Sequence, residues 1–488
     1  MNEDRERDFI ERQTNPDISR RHMLKWLRNA GYGVAASSFL ASCAIPAGGI
    51  GAKQLGSDDG GFGAGSDTIK IGVIAPFSGV GAFLGAIVQR SLDAAVLQIN
   101  SEGGMGGRKV EWIPKDISAT DPQQVLNAYQ DLAGQDDTAG IVWAVPGGII
   151  ELQDRIGVDR IFVSAAFADL HDSGNLYPDN EALRPVFQFL TPNSWAVSTL
   201  ADYCKNDRGF DRAGLIYDNT LGDGAKYDFD AAMADIGMSV TGTAGYQLNN
   251  SNFGPQISAV GRPQTLWMWG LATDTANAVK QIGDAGRDYI SINEAKTGAR
   301  PQLMGSPAAL GEKKWAELAG DTAKAGTLTA WHVGGLIYLP TFAMREYMQK
   351  HTGVDPTGGE ETPADALYLI ANSVNEAGSL DRDAMIAAAE NAGRQKFASV
   401  DFEFGPDNHL ARHPDDIIVV TLERAGKPAD PGYTLGREWT EVFPSGYVGP
   451  THLVRPTVEA NMRRHPEVMQ LVIEQGWGTD APPGNITH

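Results

Sequence analysis

The feature that most constrains this chain is an alternation of apolar strands, tight turns and amphipathic helices that runs through residues 67–191 and then starts again. Ile69-Lys70-Ile71-Gly72-Val73-Ile74-Ala75 is a β-branched run, apolar for most of its length, as a parallel strand buried on both faces requires. Pro76-Phe77-Ser78-Gly79-Val80-Gly81 breaks it. Ala86, Val88, Leu92, Ala95, Val96 and Ile99 then recur at three- and four-residue spacing until Gly103-Gly104 ends the helix. Further strands are expected at 109–113, 140–144 and 161–164, and Asp121-Pro122 opens a helix with Asp at the cap and Pro in the first turn. Each unit takes roughly 25 to 35 residues, which predicts an α/β fold: right-handed βαβ winding into a doubly wound parallel sheet with helices on both faces.

The rhythm restarts after Thr191-Pro192-Asn193-Ser194. A helix over 195–206, a strand at 213–217 and the turn Asp218-Asn219-Thr220-Leu221-Gly222-Asp223-Gly224 lead to strands near Val240, at 266–269 and at 302–304. These form a second α/β lobe. A helical stretch over 338–391, broken at 353–363, is placed to cover the first lobe again. Two β-like segments, 400–404 and 417–422, precede a polar tail with a capped helix at 466–476.

Charge and cysteine content narrow the function classes. Forty Lys and Arg against 61 Asp and Glu give a formal net charge of −21, which disfavours nucleic acid and anionic lipid as partners. Only Cys43 and Cys204 are present, so no intrachain disulfide framework is expected. No apolar run reaches the roughly 18 uninterrupted residues of a membrane span.

The amino terminus reads as an address. Ser19-Arg20-Arg21-His22-Met23-Leu24-Lys25 resembles a twin-arginine export signal, and Leu40-Ala41-Ser42-Cys43, after a short apolar stretch, resembles the lipobox of bacterial lipoproteins. The resemblance implies export through Arg20 and Arg21, cleavage before Cys43 and diacylation of that cysteine. Two acyl chains anchor stably where one does not. Residues 1–42 are thus the signal and 43–66 a Gly-rich tether.

Taken in order, Ile69 to Gly79, Ile99-Asn100-Ser101-Glu102-Gly103-Gly104-Met105-Gly106-Gly107-Arg108-Lys109-Val110, Lys115-Asp116 with Asp121-Pro122, Val163-Ser164-Ala165-Ala166, Leu215-Ile216-Tyr217-Asp218-Asn219-Thr220 with Gly222 and Gly224, and Leu318-Ala319-Gly320-Asp321 form a recognisable series. From about Asp67 to about Asp407 the chain resembles the type I periplasmic substrate-binding proteins of the leucine/isoleucine/valine-binding family, the receptors of ABC importers. The resemblance implies two Rossmann-like lobes joined by three crossovers, near Thr191, Trp331 and Phe397. Lobe one is then 67–191 with 332–397, lobe two 192–331 with 398–450, and 451–488 an extension. It further implies a monomer that captures a small solute, passes it to a permease, and uses no cofactor.

Ser78, the backbone N–H groups of Gly147 and Gly148, Ser164, Ala165, Ala166 and Phe167 are the lobe-one candidates for solute contact. Asn219, Leu221, Trp269, Leu271 and Ser306 are those of lobe two. Several positions depart from the family pattern. Gly148 stands where Ser is common, Phe167 or Ala168 where Thr is common, and Leu221 or Gly222 where Tyr is common. Ser306-Pro307 lies where an acid pairs the solute ammonium. A buried ammonium without a carboxylate costs several kcal/mol, so an uncharged amide, urea or an aromatic acid stands beside an amino acid as the expected solute, with a sensory or enzymatic protein on the same fold as the further alternative.

Enzyme signatures are absent: no G-x-S-x-G, H-E-x-x-H or G-x-x-x-x-G-K-[ST] occurs. Gly79, Gly81 and Gly85 miss the dinucleotide spacing by one residue. His409 and His413 have metal-ligand spacing, but Pro414 argues for a solvated surface turn, and no metal is expected.

Overall fold

The computed structural model describes residues 68–421, less short internal stretches of which the longest are 308–314, 321–326 and 333–343, together with residues 452–453. The export signal with Arg20 and Arg21, Cys43, the tether, Leu221, Gly222 and the 466–476 helix lie outside the described residues.

The first half alternates β1 (Thr68–Ala75), α1 (Ala82–Ser101), β2 (Lys109–Asp116), α2 (Pro122–Ala133), β3 (Thr138–Trp143), α3 (Gln153–Asp159), β4 (Phe162–Ala165) and β5 (Val186–Gln188). Asp121 caps α2 by accepting from the N–H groups of Gln123 and Gln124, with Pro122 in the first turn. The five strands form one parallel sheet in the order β2-β1-β3-β4-β5. Three-residue β5 is too short to show a period, so the sequence does not announce it.

The second half repeats the scheme with α4 (Asn193–Asp202), β6 (Arg212–Asp218), α5 (Gly224–Asp235), β7 (Ser239–Tyr246), α6 (Gly254–Ala259), β8 (Thr265–Trp269), α7 (Ala272–Asp284), α8 (Ile292–Thr297), β9 (Gln302–Gly305) and β10 (Leu328–His332). Its parallel strands follow the matching order β7-β6-β8-β9-β10. The chain returns to the first sheet as α9 (Glu361–Ala377), α10 (Arg382–Asn391) and a small hairpin, β11 (Arg394–Lys396) and β12 (Asp401–Glu403). It then crosses again, and β13 (Ile417–Thr421) and β14 (His452–Leu453) extend the second sheet antiparallel.

Both sheets bury both faces, as parallel sheets do. In lobe one Ile69, Ile71, Val73 and Phe162 pack with Leu367, Ile370 and Val374 of α9, while Ile74, Ile141, Trp143 and Val163 pack on the opposite side with Tyr129 and Leu132 of α2. In lobe two Leu215, Trp267 and Trp269 lie against α4 and α5, and Ile216, Leu266 and Met268 against α6 and α7. Helix α1 is long and apolar enough to cross a membrane by length and composition. Here it is a core helix: Val88, Leu92 and Ala95 are fully buried, and Arg90 pairs with Glu360 at 3.0 Å.

The passages between lobes fall at 189–192, between β10 and α9, and between Arg412 and Ile417. The last is later than the expected position near Phe397. Phe397, Phe404 and Ala411 belong to the first core, and Leu410 bridges Gln188 of β5. Asp365 on α9 explains the delay: it accepts from the N–H of Ala398 (2.6 Å), the N–H of Ser399 (3.0 Å) and the Ser399 hydroxyl. Arg412 continues the chain by donating to Ser399 Oγ (3.0 Å) and the Phe189 carbonyl (3.0 Å).

The expectation of a solvated turn at His409 is likewise corrected. Its ring is fully buried, stacked on Phe187 at 4.1 Å between centroids, with Nδ1 3.1 Å from the Val186 carbonyl and Nε2 3.3 Å from Glu390, which also holds Arg184 bidentately. Burial pushes the imidazole down to about 4, so it is neutral and donates to one of its two acceptors at a time. His413 is exposed, and no cluster of three metal-ligating side chains occurs among the described residues.

Gly85 is needed where α1 leaves the β1 turn, for a Cβ there would stand 2.5 Å from the Pro76 carbonyl and 2.6 Å from Phe77 Cα, both backbone. Gly85→Ala should therefore lower stability by about 1–3 kcal/mol in urea unfolding. A loss near zero would show that the β1–α1 approach is not tight.

Candidate functional site

In each sheet the chain winds outward in both directions from its first strand, so the crevices between β1 and β3 and between β6 and β8 are switch points, where open α/β sheets bind ligands at the carboxyl ends of their strands. Ser78 follows β1 and is exposed; its N–H donates to Asp116 Oδ1 at 3.0 Å. Gly147 and Gly148 follow β3. The Trp143 indole donates to the Gly147 carbonyl (3.0 Å), and Gly148, at φ 94°, would push a Cβ to 2.6 Å from Val125. Conformation and space both require glycine there.

After β4 the expectation and the structure part. The N–H groups of Ala166 and Phe167 donate to the Trp143 carbonyl at 2.8 and 3.4 Å, so they close the sheet edge instead of facing a solute. Ala165 is fully buried as well. Ser164 lies inside β4, fully buried, on the Phe162 face of the sheet, and its hydroxyl has no partner among the described residues. Strand alternation puts it there.

The lobe-two candidates converge on β6, β8 and β9. Asn219 donates its N–H to the Tyr246 carbonyl (3.0 Å) and accepts from Gln247 (2.7 Å), while Thr220 accepts from the Leu248 N–H (2.9 Å). Leu271 caps α7 without a side-chain bond, and its carbonyl accepts from Thr275 (2.8 Å). Ser306 is buried and donates to the Gly270 carbonyl at 2.7 Å. The Trp269 indole donates to Asn193 Oδ1 at 2.7 Å.

Asn193 leads to residues that the sequence did not single out. It opens α4, a helix with no acid in its first turn and no side-chain cap of its own. Two carboxylates of lobe one supply the cap. Asp169 accepts from the Asn193 N–H (2.8 Å), and Asp172 accepts from the Ser194 N–H (2.7 Å) and from the Ser194 hydroxyl. The Asn193 amide donates to Asp228 on α5, so one residue ties lobe one, the first passage and the Trp269 ring together. A helix start without its own capping residue was the available signal.

The electrostatics follow from crowding. Burial and the adjacent Asp172 push Asp169 up to about 7. Burial alone would raise Asp172, but hydrogen bonds from His171 and Ser194 outweigh it and hold that carboxyl below its ordinary value. The same bond to Asp172 raises His171. Asp179 also faces His171, and Asp228 faces Asp172 across the passage.

Two sheets of matching strand order joined by a stitched passage define a bilobed α/β architecture. Residues 68–427 match the sequence profile of the family described as periplasmic binding protein, and the chain belongs to that family. It is similar to the Leu/Ile/Val-binding protein homolog 7 of Brucella abortus, 30% identical over 131 residues, which are 26% of this chain and 32% of that one. The match spans about a third of the relative's length. The fold is shared with a type 1 periplasmic binding protein of Bordetella pertussis (TM-score 0.63, 20% identity, 74% of this chain and 98% of that one). It is also shared with a solute-binding protein of an ABC transporter from Rhodopseudomonas palustris in complex with 3,4-dihydroxybenzoic acid (TM-score 0.62, 17% identity, 74% and 94%).

Asp169 fixes the sign of one pH effect. Its folded value of about 7 lies above the ordinary carboxylate value near 4, so between the two the folded chain holds more protons than the unfolded one. Stability from this group is present at low pH and is lost as pH rises toward 7. The melting temperature of the wild type relative to Asp169→Asn should therefore fall between pH 5 and pH 8. A flat or rising difference would contradict the assignment.

Proposed function

We propose that the chain is a lipid-anchored solute-binding protein, exported by the twin-arginine route, that captures a small amino-acid-like solute between its lobes and delivers it to an ABC permease. The observation that supports the solute reading is the pair of matching 2-1-3-4-5 sheets, each with a switch point; in this reading both lobes bring glycine turns and helix amino ends to one solute. In this reading Ser78, Gly147 and Gly148 meet a carboxylate from lobe one, and Asn219, Trp269, Leu271 and Ser306 close from lobe two. Closure follows from differential contact: the solute touches both lobes only in the closed state. The protein binds and delivers, and no step of this cycle changes the solute covalently.

The amino-acid default rests on kinship with a Leu/Ile/Val-binding homolog. An aromatic acid is the rival reading, favoured by half-buried Phe77 and Phe167 in lobe one and by the 3,4-dihydroxybenzoic acid held by a protein of the same fold. Titration calorimetry against leucine, isoleucine, valine and hydroxybenzoates separates them. Heat with a branched-chain amino acid supports the default, and heat with a hydroxybenzoate alone supports the rival. Silence across both sets would sink the solute reading as proposed.

Anchoring is tested independently. Cys43→Ser should leave the protein exported but move it from the membrane fraction to the soluble extracytoplasmic fraction. Unchanged membrane retention would remove the lipid anchor.

A further inference from the structure

One short motif has no part in solute capture. Asn249-Asn250-Ser251 is an Asn-x-Ser sequence without proline at the middle position, the acceptor pattern for attaching a sugar to an asparagine amide. So short a pattern also arises by chance, and its structural setting decides whether it can be used. Asn249 lies in the exposed turn after β7, at φ 65°, a left-handed conformation that Asn tolerates better than most residues with a side chain. Its backbone N–H donates to Asp274 at 3.1 Å, which pins the turn to the start of α7. Its side-chain amide makes no hydrogen bond among the described residues.

The neighbouring amides are occupied. Asn250 donates to the Asn252 carbonyl (3.0 Å) and accepts from the Asn252 N–H (3.3 Å), and Asn252 accepts from the Gly254 N–H (3.1 Å). Gln281 donates to the Ser251 carbonyl (3.0 Å). The fold thus holds the segment in place while the Asn249 amide and the Ser251 hydroxyl, both on exposed residues, keep no partner among the described residues. The strand before the turn gives a modification there a role. β7 is the outermost strand of the second sheet and, among the described residues, pairs with β6 alone. A shift in register at Thr241 interrupts only its start, and 242–246 pair regularly. Ser239–Tyr246 holds no charged residue and no proline, the devices that commonly keep an open edge from pairing with a second chain. Asn249 follows the carboxyl end of this strand, which lies on the far side of β6 from the β6–β8 crevice.

We propose that Asn249 is an N-glycosylation acceptor and that its glycan screens the open edge of β7. The donor is a lipid-diphosphate-linked sugar, transferred by an oligosaccharyltransferase on the extracytoplasmic side, where periplasmic binding proteins reside. In the transfer the Asn249 amide nitrogen bonds to the anomeric carbon of the sugar. The bond from that carbon to the diphosphate oxygen breaks, the lipid diphosphate leaves with the electron pair, and one amide proton passes to a base. A bulky, solvated glycan at this end of β7 obstructs the approach of a second strand. It does so without entering the crevice, so modification and solute binding are separate properties of the chain.

The test purifies the full chain from the extracytoplasmic fraction of its native source and weighs the peptide containing 249–251 by tandem mass spectrometry. A sugar-mass increment on Asn249 is expected in the wild type and in Ser251→Thr, and none in Ser251→Ala or Asn249→Gly. Glycine adopts the left-handed turn freely, so loss of the increment in that variant reports the acceptor and not the fold. A bare Asn249 in the wild-type peptide overturns the assignment. So does sugar found only at the other such sequence, Asn485-Ile486-Thr487, or an increment that survives Ser251→Ala. The screening role is read separately, by light scattering of concentrated wild type and Ser251→Ala on warming. Ser251→Ala should scatter several-fold more below a melting temperature that stays close to that of the wild type. Equal scattering overturns the screening role.

Discussion

The amino end of α4 is closed by carboxylates from the other lobe, and much of the molecule is organised around that bond set. Asp169 and Asp172 belong to the segment after β4, while Asn193 and Ser194 begin the first helix of lobe two. Helix α4 packs on α5, β10 and β13, so anything that fixes its amino end fixes the near edge of the second sheet relative to the first. Asn193 then carries the constraint into the crevice by holding the Trp269 indole and the Asp228 carboxylate. Charge-assisted bonds to a helix amino end are stronger than neutral ones, but burial and, after it, repulsion from Asp172 raise Asp169 to about 7. The passage is held by an arrangement that is itself electrostatically tense.

The remaining passages are secured differently. The return of α9 and α10 to lobe one is fixed by buried or half-buried charges: Arg90 with Glu360, Arg184 with Glu390, and Asp365 with Ser399. Truncating one partner of such a pair costs more than the pair contributes, because the other charge is left buried. The parallel sheet makes this return necessary. Without α9 the face bearing Ile69, Ile71 and Phe162 would meet water.

Alternation of β-branched runs with helical periods was enough to read both lobes from the residues, because parallel strands buried on both faces are nearly continuous apolar runs. Val186-Phe187-Gln188 escaped that reading, since three residues carry no period. The third passage was placed too early at Phe397 because nothing local marks residues 397–412 as interior. Asp365, His409 and Arg412 keep them there through partners distant in the chain. The candidate site was legible only as strand ends. Ser164 looked like an edge residue but falls one position inside β4. Nothing in the sequence singles out Asp169, Asp172 or Asp274, because the partners that gather around a carboxylate are set by packing and leave no mark in spacing.

The central claim is that two facing switch points share one solute and that the lobes close on it. Small-angle scattering of the full chain, before and after saturation with a solute that calorimetry identifies, tests this most directly. Closure predicts a smaller radius of gyration at saturation, reversed when the solute is dialysed away. Saturable binding with an unchanged radius would contradict it.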